Sequence, residues 1–258
     1  WTKTISELSK DDEIIVITRK NNNIKDLEKE YNIKKIGIDL PSLLISIKKY
    51  LGVRAYYLLW TFLVFFHLLK NFSRYKCLIV HHITFTPIYY PPLYFILPFR
   101  YIWGPIGGGE VFPSSYLKSM KLKDALKEII RTIQKNTIFI KPVFYIGCKN
   151  SIKIICSTQE TADLIPNKYQ DKVIVELMVF DNDKIDIEVE REKTIVIANR
   201  LIHWKMTHLF VEAFSEYIKL YPTEYKLIII GDGPYVDKVF PFVDNINIFH
   251  HKRFEERG

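Results

Sequence analysis

Carboxylates are missing over a long stretch: from Leu40 to Gly109 there is not one Asp or Glu, while Lys48, Lys49, Arg54, Lys70, Arg74, Lys76 and Arg100 are basic and aromatics are dense. Basic and aromatic together point to nucleic acid or to a membrane interface. Cysteine is scarce too. Cys77, Cys148 and Cys156 are odd in number and make no C-x-x-C pair and no metal spacing with histidine. That excludes a disulfide framework and reads as reduced core thiols of a cytosolic protein. No carboxylate cluster has metal-ligand spacing, so no metal is expected. Long apolar runs are also lacking. The longest, Ala55 to Leu69, is polar only at Thr61 and His67. At about 1.5 Å per residue it covers about 22 Å against the roughly 30 Å of a bilayer core, so it reads as a buried core helix, or else one partly inserted into a leaflet, with His67 a core or boundary histidine. The chain starts without Met or a signal peptide and stops after a charged run, so both ends read as cut.

What is present is an α/β pattern. With 258 residues, 48% of them apolar, the chain can bury one large core or two smaller ones. Buried strands are expected at Ile14–Ile17, Lys35–Ile38, Cys77–Val80, Arg100–Trp103, Ile152–Cys156, Lys172–Val179, Thr194–Ala198, Lys226–Ile230 and Asn245–Phe249, with helical periodicity between most of them. The order implies two Rossmann-like domains: 1–185, lacking its first strand, and 186–258, the first part of a second domain. The charge divides similarly. Residues 1–150 hold 23 Lys and Arg against 11 Asp and Glu; the remainder hold 14 against 18.

Three loops carry candidate chemistry. Arg200 and Lys205 stand between a strand and an amphipathic helix whose apolar stripe is Leu209, Phe210, Ala213, Phe214, Ile218 and Leu220. There, at the carboxyl edge of a parallel sheet, two cations and a helix N-terminus can hold a diphosphate and stabilise a departing nucleotide. Gly231, Asp232, Gly233 and Pro234 form the turn after the next strand. In the first half, GPIGGGE (Gly104 to Glu110) brings four glycines within six residues, which lets backbone amides approach a ligand. Its spacing fits neither G-x-G-x-x-G nor a P-loop, so by itself it is a tight turn. His81 and His82 follow the strand before it. Adjacent strand residues face opposite ways, so one of them at most points into a cleft. Further on, Leu117 to Lys135 has Leu122, Leu126, Ile129, Ile130 and Ile133 on one side and six Lys and Arg on the remainder. Such a charge run is a solvated face, or it lies on an anionic membrane. Asp181-Asn182-Asp183 reads as turn chemistry in the connection between domains.

Two motifs, HHITF from His81 and WGPIGGGEVFP from Trp103, resemble a subgroup of retaining family 4 glycosyltransferases of the GT-B fold. Arg200, Leu201, Lys205, Ala213, Phe214 and the Gly231 to Pro234 turn match the same family's donor half. Asn199 and Met206 depart from it, since Gly is usual at both places. The resemblance covers most of the chain from about Lys76. It implies two domains facing a cleft, and transfer of a sugar from a nucleotide diphosphate sugar, without metal or other cofactor, to a glycan or lipid-linked acceptor in surface polysaccharide synthesis. It also implies His81, His82 and Glu110 as catalytic, Arg200 and Lys205 as diphosphate ligands, and Gly107, Gly108, Gly109, Gly231 and Gly233 as loops beside donor and acceptor. The family's pair of donor-binding glutamates has no match here. The acid-free basic stretch adds an anionic membrane surface as partner and a peripheral place on the inner face of the cell membrane, and no motif supports nucleic acid. The alternatives are a non-catalytic membrane-associated scaffold of the same fold and a dinucleotide-binding oxidoreductase.

Overall fold

The computed structural model describes residues 13–45, 47–75, 79–83, 87–176, 192–221, 223–243 and 247–252. The chain forms two compact units: Trp1–Val111 with Thr132–Phe180, and Phe112–Arg131 with Asp181–Gly258. The connection at 177–191, with the Asp-Asn-Asp run, lies outside the described residues.

Every strand pairing in the first unit is parallel. β1 (Ile14–Thr18) crosses through helix α1 (Lys25–Glu30) to β2 (Ile33–Gly37). A second sheet runs β3 (Ile79–His82), β4 (Arg100–Ile106), β5 (Ser151–Cys156) and β6 (Val173–Val175) in that order. Parallel neighbours need a crossover. They are a one-turn 3₁₀ helix at Leu93–Ile96, then α4 (Leu122–Asn136) with α5 (Pro142–Asn150), then α6 (Gln159–Ala162). α2 (Ser42–Ile45) and α3 (Ile47–Lys70) precede the sheet. Tyr101 and Trp103 of β4 are fully buried in its core with Phe95, Phe144 and Ile154. Cys148 and Cys156 lie in that core, and burial pushes both thiols up to about 12, which keeps them protonated. The α/β class is therefore built from this chain's own parallel ladders.

The second unit repeats the scheme on a smaller scale. β7 (Thr194–Ala198), α7 (Thr207–Leu220), β8 (Lys226–Ile230), α8 (Val236–Val239) and β9 (Ile248–His251) give a three-stranded parallel sheet in chain order. Its core is Leu201, Val211, Phe214, Leu227, Ile229, Tyr235, Val239 and Ile248.

Three expected faces are corrected. α3 is longer than the apolar run, and it buries only one side: Tyr56, Tyr57, Trp60, Val64 and Leu68 pack inward while Leu58, Phe62, Phe66 and Leu69 are exposed. Trp60 donates to the Ile38 carbonyl (2.8 Å) and Tyr56 to Asp39 (2.7 Å), which fixes the choice of inner face. Among the described residues no helix is long and apolar enough to cross a membrane. On α7 the inner face is Thr207, His208, Val211, Phe214 and Ser215, so Phe210 and Leu220 point outward. α4 is inverted: its buried residues are Asp124 and Glu128, and its apolar stripe faces out.

Candidate functional site

At the carboxyl end of the four-stranded sheet, β3 reaches His82, so both histidines are strand residues. His81 is half-buried, and its Nε2 lies 2.8 Å from the Gly104 carbonyl oxygen. A carbonyl only accepts, so Nε2 carries the proton. Burial lowers the imidazole from its ordinary 6.5 against that hydrogen bond, which favours the neutral ring. His82 turns the other way into the core. It is buried, bonded to the Tyr57 hydroxyl, stacked on that ring and edge-on to Tyr94.

β4 runs three residues past its expected end, taking in Gly104 to Ile106. The glycine loop that follows is knitted to α6. Gly109 N–H donates to Thr161 Oγ1 (3.0 Å) and Gly108 N–H to the Glu110 carboxylate (3.0 Å). The Glu110 carboxylate also accepts from Thr158 (2.8 Å) and Thr161 (3.3 Å). A Cβ on Gly109 would come within 2.4 Å of the Glu160 and Thr161 backbone, so only glycine permits this approach. The Gly108 and Gly109 amides are thus spent inside the fold, which argues against a pyrophosphate cradle of the dehydrogenase kind. Glu110 is fixed with its carboxylate on α6's first turn.

The loop after β7 is held from below and open above. Asn199 N–H donates to Ile230 O (3.0 Å), Leu201 N–H to Asp232 O (3.0 Å), and Tyr235 N–H to Leu201 O (3.0 Å). Leu201 is buried, and Arg200 between these anchors is exposed. Gly231 and Gly233 have a steric task here, since Cβ atoms would meet Asn199 O at 1.9 Å and Leu201 O at 2.4 Å. Asn199, where glycine is usual in the resembling family, accepts from Thr207 Oγ1 (3.0 Å). Met206, the other departure, has φ 55° and ψ 16° and precedes α7 with no side-chain cap. It occupies the left-handed region that glycine tolerates best. Lys205 is exposed beside it. Among the described residues neither the Arg200 nor the Lys205 side chain has an acidic partner. Both cations thus stand in the loop that leads into a 14-residue helix, Lys205 two residues before its start.

Two parts of this loop are invisible to local pattern. His203, two residues before Lys205, is buried with Nε2 2.9 Å from Glu128 and Nδ1 3.8 Å from Asp124. Burial works against the ionised Asp124, but Lys127 at 2.7 Å and His203 outweigh it and hold its carboxyl below the usual range. These carboxylates hold α4 against the cation loop. No spacing signal links residues 75 apart. The second is an open apolar cleft of about 550 Å³ lined by Phe112, Pro113, Tyr116, Lys205, Met206, Leu209 and Phe210. Among the described residues no group of three or more His, Cys, Asp or Glu converges as metal ligands.

No family model matches the sequence, and no curated protein matches it. Among solved structures the chain is similar to Anabaena Alr3699/HepE, described as a complex with UDP and glucose, at 10% identity and a TM-score of 0.48. That superposition covers 98% of this chain and 66% of HepE, so the chain spans just under two thirds of HepE's length.

Proposed function

We propose that the chain is part of a glycosyltransferase that moves a sugar from a nucleotide diphosphate sugar to a glycan or lipid-linked acceptor. The observation carrying this is the pair Arg200 and Lys205, exposed and without acidic partners among the described residues, in the loop that leads into α7 and whose backbone is pinned on both sides of Arg200. Cations on a pre-set backbone oppose charge that grows on a leaving group at little reorganisation cost. In the reaction the bond between the anomeric carbon and the diphosphate oxygen breaks, and its electron pair leaves with the nucleoside diphosphate, facing Arg200 and Lys205. The acceptor hydroxyl oxygen bonds to the anomeric carbon, and its proton passes to the departing diphosphate oxygen. Retention of configuration follows from the resemblance to the family. With two cations in the electrostatic role, no metal is required.

The aromatic walls Phe112, Tyr116 and Phe210 beside Lys205 offer flat apolar faces to the C–H face of a sugar ring. His81 and Glu110 belong to the acceptor side in this reading, His81 as a neutral imidazole and Glu110 as a positioned carboxylate. His82, packed between Tyr57 and Tyr94, supports its neighbour from the core. In the same reading the protein works peripherally at the cytoplasmic face of a membrane, beside a lipid-linked acceptor, and the basic first half supports this.

The test is turnover by the protein that contains this chain, using a panel of nucleotide sugars and a lipid-linked glycan acceptor, with and without excess EDTA. Transfer that persists under chelation is expected. Transfer lost in EDTA and restored by Mg²⁺ or Mn²⁺ overturns the metal-free mechanism, and no transfer or hydrolysis of any donor favours the scaffold alternative.

A further inference from the structure

α4 is an amphipathic helix mounted inside out. Its polar side, Asp124 and Glu128, is buried against His203, whereas Leu122, Leu126, Ile129, Ile130 and Ile133 are 44–78% exposed and share one face by their three- and four-residue spacing. A stripe of this length is more than the scattered apolar residues of an ordinary surface.

The charge around it selects what covers it. From Lys118 to Lys135 the chain has six Lys and Arg and two carboxylates, Asp124 and Glu128, both buried. Lys118 and Lys123 are exposed and have no acidic partner among the described residues, while Lys127 is engaged by Asp124. We propose that the outer face of α4 is the surface by which this protein docks on an anionic lipid bilayer, its Leu and Ile side chains entering the acyl boundary and its lysines meeting the headgroups. A second copy fits poorly, because a two-fold contact through this face would set the lysine margins of both copies together. The inference rests on the membrane placement proposed above, and it names α4 rather than α3 as the contact.

The experiment is flotation with vesicles of phosphatidylcholine alone or with about one third phosphatidylglycerol, at low and high salt. It compares the parent with Leu126→Ser/Ile130→Ser and, on α3, Phe62→Ser/Phe66→Ser. All four side chains are exposed, so unfolding midpoints are expected to match the parent. Binding requires phosphatidylglycerol, weakens with salt, and falls about tenfold or more in the α4 variant while the α3 variant stays within about twofold. Parent-like binding by the α4 variant, or loss in the α3 variant alone, overturns the assignment and leaves membrane placement standing. Absence of binding to any vesicle overturns both, and a sedimenting dimer that the α4 variant dissolves overturns the assignment of α4. Nucleoside diphosphate affinity is expected to be equal in all three proteins, so a failure here is separable from a failure of the transfer reading.

Discussion

Replacing His203 by alanine removes the group that faces two buried carboxylates at once. Glu128 has 5% of its side chain accessible and lies 2.9 Å from Nε2; Asp124, at 12%, lies 3.8 Å from Nδ1. Removing the hydrogen-bond partner of a buried carboxylate costs about 1–3 kcal/mol and upward, because the remaining charge stays out of water. Here part of that is offset, since Lys127 is 2.7 Å from Asp124 and Arg131 is 3.6 Å from Glu128. A loss of about 1–3 kcal/mol is therefore expected, which for a protein of this size lowers the melting temperature by roughly 2–12 °C. Urea unfolding followed by circular dichroism measures it. Adding Glu128→Gln to His203→Ala should recover about half of the loss, and the double-mutant cycle should give a coupling above about 1 kcal/mol. If His203→Ala falls within about 0.5 kcal/mol of the parent, the carboxylates are solvated in solution and the reasoning fails.

Two further outcomes follow from the same physics. Met206→Gly relieves a left-handed backbone and should raise stability by about 0.5–1 kcal/mol in urea unfolding, net of the greater freedom glycine gives the unfolded chain; a loss would mean that the Met206 side chain matters more than its backbone. Burial lowers His67, His81 and His208 below their ordinary 6.5, so the unfolded chain takes up protons first. Stability from these rings is complete above 6.5 and is lost as pH falls through their folded values; urea midpoints flat from neutral pH to about 5 would contradict this.

Strands were legible in the sequence because runs of Ile and Val mark them, as at Ile14–Thr18, Thr194–Ala198 and Lys226–Ile230; their expected burial was not, since Val196 is 55% exposed and no residue of Ile14–Thr18 is fully buried. The cation loop was legible for a related reason, since Arg200 and Lys205 fall between such a strand and a periodic helix. Orientation was not. Periodicity locates the stripe of α4 but does not say whether it faces core or solvent, and the deciding contact is His203, far along the chain. On α7, Thr207, His208 and Ser215 are polar yet face inward, which moved the apparent stripe around the helix. The glycine loop's spacing read as a tight turn, as it is; that its amides bond to Thr161 and Glu110 depends on where α6 lies.

The measurement closest to the central claim is calorimetric titration of the parent, Arg200→Ala and Lys205→Ala with UDP, GDP and ADP. A charge-assisted contact to phosphate is worth about 1.5–3 kcal/mol, and discounting for the exposure of these cations leaves roughly tenfold weaker binding for each substitution, with unfolding midpoints unchanged. The parent should bind at least one of the three nucleotides and lose that affinity in both variants. Equal affinity in parent and variants, or no binding by the parent to any of them, would contradict the assignment of this loop to a diphosphate.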